Sequence, residues 1–417
     1  MGSILADPSC VAERQSAASS LRPLRSGILL TTDFPPLLGG ISNYLFNIYR
    51  QFDLRRITLI APDHPQAPAF DATQPYYACR FAPGINVPGL RGAWQVWRMQ
   101  REAEKPARRN GGLVLHCGHV NAAIAARKLK QRYGTPYLLW THALEIMDEW
   151  LRPTVLPAML DADLVITNSN FTRAFVASCG VAESRIVKIR PGADAERFRP
   201  GLDCRALARQ LGVSGRPTLL TVSRIVKANR YKGHDVVLRA LPKVVREVPN
   251  VAYLIVGEGD DRAYLERLAT ECGVRHNVIF AGRVPDADLP LLYNLCDAFV
   301  MCSREERTRR GVLAEGFGIS FVEASACGKP VIAGRSGGVG DAVEHEVTGL
   351  MVNPVDAEEV ATAMLRVLRE PGLAKKFGDN GRSWVESVMN WTRAADEFER
   401  ALGQFFPDDG LRYEGGA

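Results

Sequence analysis

Residues 315–338 read EGFGISFVEASACGKPVIAGRSGG. A glycine-flanked aromatic opens onto a helix of small residues. An apolar strand follows at 330–336, and then a second glycine cluster that runs to Asp341. Turn, helix, strand and turn in that order make the repeating unit of a parallel sheet, whose neighbouring strands need a crossover helix. Glycines at such turns carry no Cβ, so backbone N–H groups can approach an anion, and a helix N-terminus adds partial positive charge behind them. The stretch also sets two acids, Glu315 and Glu323, around one loop. Ser320 and Glu323 fit a capping box, which would make Glu323 a helix cap. A carboxylate is equally suited to accept hydrogen bonds from paired sugar hydroxyls.

The same alternation extends outward from this stretch. Apolar runs in the second half lie at 218–224, 252–259, 277–283, 298–303 and 349–354. The first half has its own set at 27–33, 56–62, 113–118, 136–142, 163–169 and 185–192, with a first helix expected over Ile41–Gln51. The Pro-, Gly- and charge-rich segment 190–201 reads as a linker. The expected fold class is therefore α/β, with two Rossmann-like doubly wound domains facing a central cleft. A loose leader at 1–22 precedes a first domain at 23–195 and a second at 196–387. The region 388–417, with a helix at 391–402, is expected to pack back onto the first domain. Ligands of such sheets bind outside the carboxyl ends of the strands.

Composition agrees with a two-domain globular chain. It has 417 residues, 46% of them hydrophobic and 24% charged. No apolar run is long enough to span a bilayer. The nine cysteines show no C-x-x-C pair, which points to reduced thiols and gives zinc no ligand spacing. The net charge of +6 suits an anionic ligand or a bilayer surface. No nucleic-acid motif is present.

Three further segments follow strands. In Asp33–Asn43 the pair Gly39 and Gly40 precedes a helix and offers either an ordinary turn or a phosphate contact. In Ser223–Asp235 the cations Arg224, Lys227, Arg230 and Lys232 lie between a strand end and a helix start, where Arg supplies a fork and Lys a point charge for a diphosphate. In Ala333–Asp341 small residues again precede a helix. A fourth segment, Arg91–Lys105, places Trp94, Trp97, Arg98, Arg101 and Lys105 on one helix face. That face is either a bilayer-facing surface or one whose tryptophans pack on the core.

Taken in this order, these pieces resemble the retaining GT-B glycosyltransferases of family 4, over nearly the whole chain after the leader. The most specific part is EGFGISFVE, with SR…KG upstream and GG near the N-terminus. The resemblance implies transfer of a hexose from a nucleotide-diphosphate sugar with retention, without an obligatory metal and with no cofactor. It assigns Arg224 and Lys232, beside Ser223, to the leaving diphosphate and Glu323 to the ribose. Glu315 with Phe317, Gly318 and Ile319 would hold the sugar, and Gly39 and Gly40 would meet the phosphates from the other domain. His142, after a strand of the first domain, and Asp33 would lie on the acceptor side. Arg224 and Lys232 stand eight positions apart (232 − 224), farther than in the family's shorter loops, so Lys227 or Arg230 is a candidate to share the lysine's role.

The motif set is most similar to the GDP-mannose-dependent phosphatidylinositol mannosyltransferases. That implies a lipid-linked, polyol or glycan acceptor and a cytoplasmic protein peripheral on the inner face of the membrane. The alternatives are a UDP-sugar enzyme of the same fold, a nucleotide-sugar epimerase and a catalytically inactive sugar-nucleotide binder. An oxidoreductase would want G-x-G-x-x-G, but Gly257-Glu-Gly259 is followed by Arg262 at the third glycine position.

Overall fold

The computed structural model describes residues 21–37, 39–84, 90–109 and 112–407. The first sheet holds seven parallel strands: β1 (Gly27–Leu30), β2 (Ile57–Pro62), β3 (Tyr77–Phe81), β4 (Val114–Cys117), β5 (Tyr137–Thr141), β6 (Leu164–Thr167) and β7 (Ile186–Lys188). Their spatial order is β3-β2-β1-β4-β5-β6-β7. The second sheet orders β10 (Val278–Gly282), β9 (Ala252–Val256), β8 (Thr218–Val222), β11 (Ala298–Met301), β14 (Val331–Gly334) and β15 (Gly349–Val352). A separate antiparallel ribbon pairs β12 (Glu306–Thr308) with β13 (Gly311–Leu313).

The inner strands are continuous apolar runs because helices cover both faces. Successive side chains of a strand point to opposite faces, and the core divides accordingly. Ile28 and Leu30 join one cluster with Leu115 and Tyr137. Leu29 joins the opposite cluster with Leu59 and Trp140. The second sheet divides in the same way, with Leu219, Tyr253 and Val300 on one face and Leu220, Leu254 and Phe299 on the other.

The last helix, Trp391–Phe405, starts at Asn390, whose side chain accepts from the Arg393 N–H. It returns to the first domain. Phe398 is fully buried, with its ring 5.0 Å from Trp140 and 5.5 Å from Tyr49. Truncating such a side chain to alanine costs about 3–5 kcal/mol. The two chain crossings between domains run together, since Ala193 N–H donates to Met389 O at 2.9 Å.

Three sequence expectations change. Strand β3 is an edge strand of mixed polarity, with Tyr77 71% exposed and Arg80 salt-bridged to Asp71, so no apolar run announces it. The charged run before the EGFG turn, where no strand is expected from sequence, forms the β12–β13 ribbon. The leader at 1–22 falls mostly outside the described residues, but Arg22 is fixed. It bridges to Phe52 and pairs with Asp396 at 2.6 Å.

Candidate active site at the domain junction

Strand β8 ends at Val222, and the chain turns through Ser223 and Arg224 into a 3-10 winding over Lys227–Lys232. Gly233 closes it at φ +78, where a Cβ would lie 2.0 Å from the Cys302 carbonyl at the end of β11. Only glycine satisfies both demands. This tight turn takes up the longer spacing and delivers Lys232 Nζ to 2.7 Å from Glu315 Oε2. Both side chains are about five-sixths buried, at 16% and 13% exposure. Burial alone would lower the lysine's pKa, but the Glu315 carboxylate and Tyr231 more than offset it, so the net shift is upward and the ammonium stays charged.

Arg224 is exposed, and its guanidinium has no protein partner among the described residues. Ser223 Oγ lies 3.0 Å from His234 Nε2, and burial pushes that imidazole down to about 4, so it is neutral. Arg230 is committed elsewhere. It makes two contacts to the buried Asp261 at 2.7 and 2.5 Å and lies 4.1 Å above the Tyr264 ring. Lys227 stays exposed, with its N–H on Asp260.

The turn after β13 carries Glu315, and Phe317 is buried. Gly318, at φ +93, starts the helix Ile319–Ala326, which has no side-chain cap. The capping-box reading is therefore corrected: Ser320 sits inside the first turn, because the left-handed glycine begins the helix before it. Glu323 caps nothing; its Oε2 accepts from Tyr293 Oη at 2.7 Å. The residue keeps some exposed surface, but its carboxyl is enclosed, and burial pushes it up to about 7.

In the first domain, Asp33 follows β1 and accepts from Thr32 Oγ1 at 2.7 Å. Gly39 is extended, and Gly40 opens the helix Gly40–Tyr49, which has neither a side-chain cap nor an acid in its first turn. A Cβ on either glycine would meet nothing within 4 Å, so protein packing does not demand them. His142 follows β5. Its Nε2 lies 3.0 Å from Gly118 O, and its backbone N–H donates to Glu145 Oε1. Burial lowers its pKa, so the ring is neutral near pH 7; Nε2–H donates to Gly118, and Nδ1 is left as an acceptor. Asp33 lies near enough to bias its charge.

The two halves meet at these turns. A Cβ on Gly316 would lie 2.3 Å from His142 O and 3.2 Å from Asn168 Nδ2. Gly338 N–H donates to Glu315 O at 2.7 Å. Asp341, whose side chain is 5% exposed, crosses the junction to accept from Asn170 N–H at 2.6 Å and from Lys188 Nζ at 2.9 Å. Sequence reading singled out the 333–341 stretch only for its backbone amides. It gave no sign that Asp341 holds the first domain, because its partners are more than a hundred residues away. Thus Lys232, Glu315 and Arg224 converge on one side, His142 and Asp33 on the other, with Gly316 between. Gly39 and Gly40 leave a bare helix N-terminus in the first domain. Among the described residues no three His, Cys, Asp or Glu side chains gather to hold a metal. A held ammonium and an unpaired guanidinium at strand ends are suited to stabilise an oxyanion that develops as a bond breaks.

Comparison with known proteins identifies the family and the fold. The family model described as glycosyl transferases group 1 matches residues 205–384, and that described as glycosyltransferase family 4 matches 38–197. A GDP-mannose-dependent alpha-(1-6)-phosphatidylinositol monomannoside mannosyltransferase of Mycolicibacterium smegmatis is 33% identical, over 90% of this chain and 98% of that one. A GDP-mannose-dependent monoacylated alpha-(1-6)-phosphatidylinositol monomannoside mannosyltransferase of Corynebacterium glutamicum is 31% identical, over 88% of this chain and 95% of that one. Among solved structures, Anabaena HepE in complex with UDP-glucose superposes with a TM-score of 0.75 at 21% identity, covering 91% of this chain and all of that one. The sucrose-phosphate synthase of Thermosynechococcus elongatus gives 0.74 at 24% identity, over 92% and 99%. These two likenesses speak for the GT-B fold alone.

Proposed function

This chain belongs to the family 4 glycosyltransferases, and we propose that it moves mannose from GDP-mannose to an inositol-containing lipid, with retention and without a metal. The observation that carries the reading is the Lys232 ammonium fixed at 2.7 Å by Glu315 beside Arg224, whose guanidinium has no partner among the described residues. Scission of the sugar–phosphate bond loads negative charge onto the diphosphate and positive charge onto the sugar ring. Arg224 and Lys232 neutralise the departing diphosphate, with Ser223 beside them. The amides around Phe317, Gly318 and Ile319 hold the sugar together with Glu315. Glu323 accepts from the ribose hydroxyls. Gly39 and Gly40 bring the bare helix N-terminus of the first domain to the phosphates. The acceptor hydroxyl attacks the face that the phosphate leaves, and a phosphate oxygen takes its proton. His142 Nδ1, with Asp33, orients the sugar and acceptor hydroxyls. The donor identity leans on the mannosyltransferase relatives, at 33% and 31% identity.

The acceptor side has a fitting surface. Trp94 and Trp97 are partly exposed, with ring centroids 5.0 Å apart, and Arg101 lies 5.3 Å above Trp97. Tryptophans beside cations suit a headgroup layer, and this face docks the enzyme on the cytoplasmic side of a bilayer. No helix among the described residues is long and apolar enough to cross one. Thermal shift against GDP-, UDP-, ADP- and dTDP-sugars tests the donor. A ligand at a hundredfold over its Kd stabilises by about 2.7 kcal/mol. A shift with GDP and GDP-mannose alone supports the reading. A shift with UDP-sugars alone replaces the donor, and no shift with any of them removes the donor site.

A further inference from the structure

The β12–β13 ribbon belongs to the second domain by sequence, since it is inserted between β11 and the Glu315 turn. Its tip nevertheless pairs with the first domain. Gly311 forms an antiparallel bridge with Asp148, and Glu149 N–H donates to Arg310 O at 2.7 Å. Arg310 Nη2 lies 2.6 Å from Asp148 Oδ2, and its guanidinium sits 5.5 Å from the Trp150 ring. A Cβ on Gly311, which has φ +121, would stand 2.0 Å from Met147 O. The base of the ribbon is tied to the donor side: Arg304 pairs with Asp235 at 2.8 Å, and Glu305 accepts from Gly337 N–H at 3.2 Å.

The segment so gripped begins with His142. Residues 142–148 are held at one end by Gly316, which abuts the His142 carbonyl, and at the other by Arg310 and Gly311. Between them Ala143 is forced to φ 104, one of only two non-glycine residues at positive φ among those described. A β-carbon in that region is strained, and such a conformation persists only where its surroundings over-determine it. Here the surroundings are shared: within the turn Ala143 O accepts from Ile146 and Met147 N–H and Glu145 accepts from His142 N–H, and the other domain closes on both flanks. Asp148 also uses its second oxygen to accept from Trp150 N–H at 3.0 Å, so the loop beyond the grip is fixed through the same carboxylate.

We infer that the β12–β13 ribbon is an interdomain latch whose Arg310–Asp148 pair, as positioning residues, holds the 142–148 turn and thereby His142 in its working geometry when the domains are closed. The inference rests on the proposed reading of the junction as the transfer site. With the latch closed, the second domain clamps a turn of the first that carries the acceptor-side histidine. With it released, Ala143 relaxes and His142 loses its register against Gly316. The device couples the donor-side anchors, Arg304 and Glu305, to the acceptor side through one short ribbon. Arg310 touches no reacting atom in this account; it acts through Asp148.

The test uses the full chain and needs no identified acceptor for its first arm. Hydrogen–deuterium exchange is followed in peptides spanning 142–150 for the wild type, Arg310→Ala, Asp148→Asn and Arg310→Lys. Exchange there should rise roughly fivefold or more in the first two variants, while peptides of β9 stay unchanged. Arg310→Lys should restore part of the protection. The second arm measures transfer. Both disruptive variants should lose roughly tenfold to a hundredfold in kcat, the double variant should lose no more than either single, and affinity for free GDP should hold. Unchanged exchange at 142–150 overturns the latch. Raised exchange with unchanged kcat overturns its link to His142, as does loss of GDP affinity in parallel with kcat. A wild-type chain inactive with every donor sinks the proposed function instead, and the exchange arm still decides the latch.

Discussion

Replacing Glu315 by glutamine keeps the shape of the side chain and removes its charge from beside Lys232. At 2.7 Å and an effective dielectric near 20, the pair attracts by about 6 kcal/mol. Drawing two ions out of water costs several kcal/mol each, which cancels much of that gain. The net is that of a charge-assisted hydrogen bond in a largely buried site, about 2–3 kcal/mol. Glu315→Gln should therefore destabilise the second domain by about 2–3 kcal/mol, and its melting temperature should fall by roughly 5–10 °C. Lys232→Met leaves the carboxylate unpaired and should cost a similar amount. The double variant should cost at least about 1.5 kcal/mol less than the sum of the singles, because one interaction has been counted twice. Differential scanning calorimetry of the four proteins, with transfer measured in parallel, gives the cycle. Single costs that sum to the double within about 0.5 kcal/mol would refute the pair as a holding interaction, however much activity is lost.

Other outcomes follow from particular contacts. Glu323 has its folded pKa raised to about 7 from 4.5, so its contribution is whole below about pH 4.5, declines as pH rises towards 7 and is gone above it. Thermal melts from pH 4.5 to 8 should lose roughly 1–3 kcal/mol across that window in the wild type and lack this component in Glu323→Gln. Gly316→Ala drives a methyl to within 2.3 Å of His142 O; transfer should fall by roughly a hundredfold, while GDP binding, measured by calorimetry, holds within a few-fold. Trp94→Ala with Trp97→Ala should abolish sedimentation with anionic liposomes at low salt, while the melting temperature falls by no more than roughly 5 °C, because both rings are partly exposed although Trp94 Nε1 donates to Ala82 O.

Much of the architecture is legible because parallel strands covered on both faces must be apolar throughout. GILL at 27–30 and AYLIV at 252–256 announce themselves in that way. The signal fails where the physics differs. β3 borders solvent and carries Cys79 and Arg80, so it reads as loop. The β12–β13 ribbon carries Arg307 in its first strand and Arg309 and Arg310 at its tip, and it contacts Asp148, a partner that no local pattern reveals. The EGFG turn is legible as a tight glycine turn into a helix, but its serine and glutamate imitate a capping box that the left-handed Gly318 pre-empts. Spacing also misleads around Lys232, since a 3-10 winding shortens the path and Arg230 turns away to Asp261. The junction contacts of Asp341 join residues more than 150 positions apart and the φ of Ala143 depends on tertiary contacts, and neither has a sequence signature.

Transfer from a GDP-sugar to an inositol lipid, by cations that need no metal, can be observed directly. The most direct measurement mixes the full chain with radiolabelled GDP-mannose and vesicles containing phosphatidylinositol mannosides, in the presence of EDTA. Label in the organic extract should be followed by determination of the anomeric configuration. Lipid-linked α-mannose should form undiminished in EDTA and be absent when GDP-mannose is replaced by UDP-glucose. An inverted linkage, activity that vanishes with EDTA, or transfer from UDP-glucose alone would contradict this mechanism.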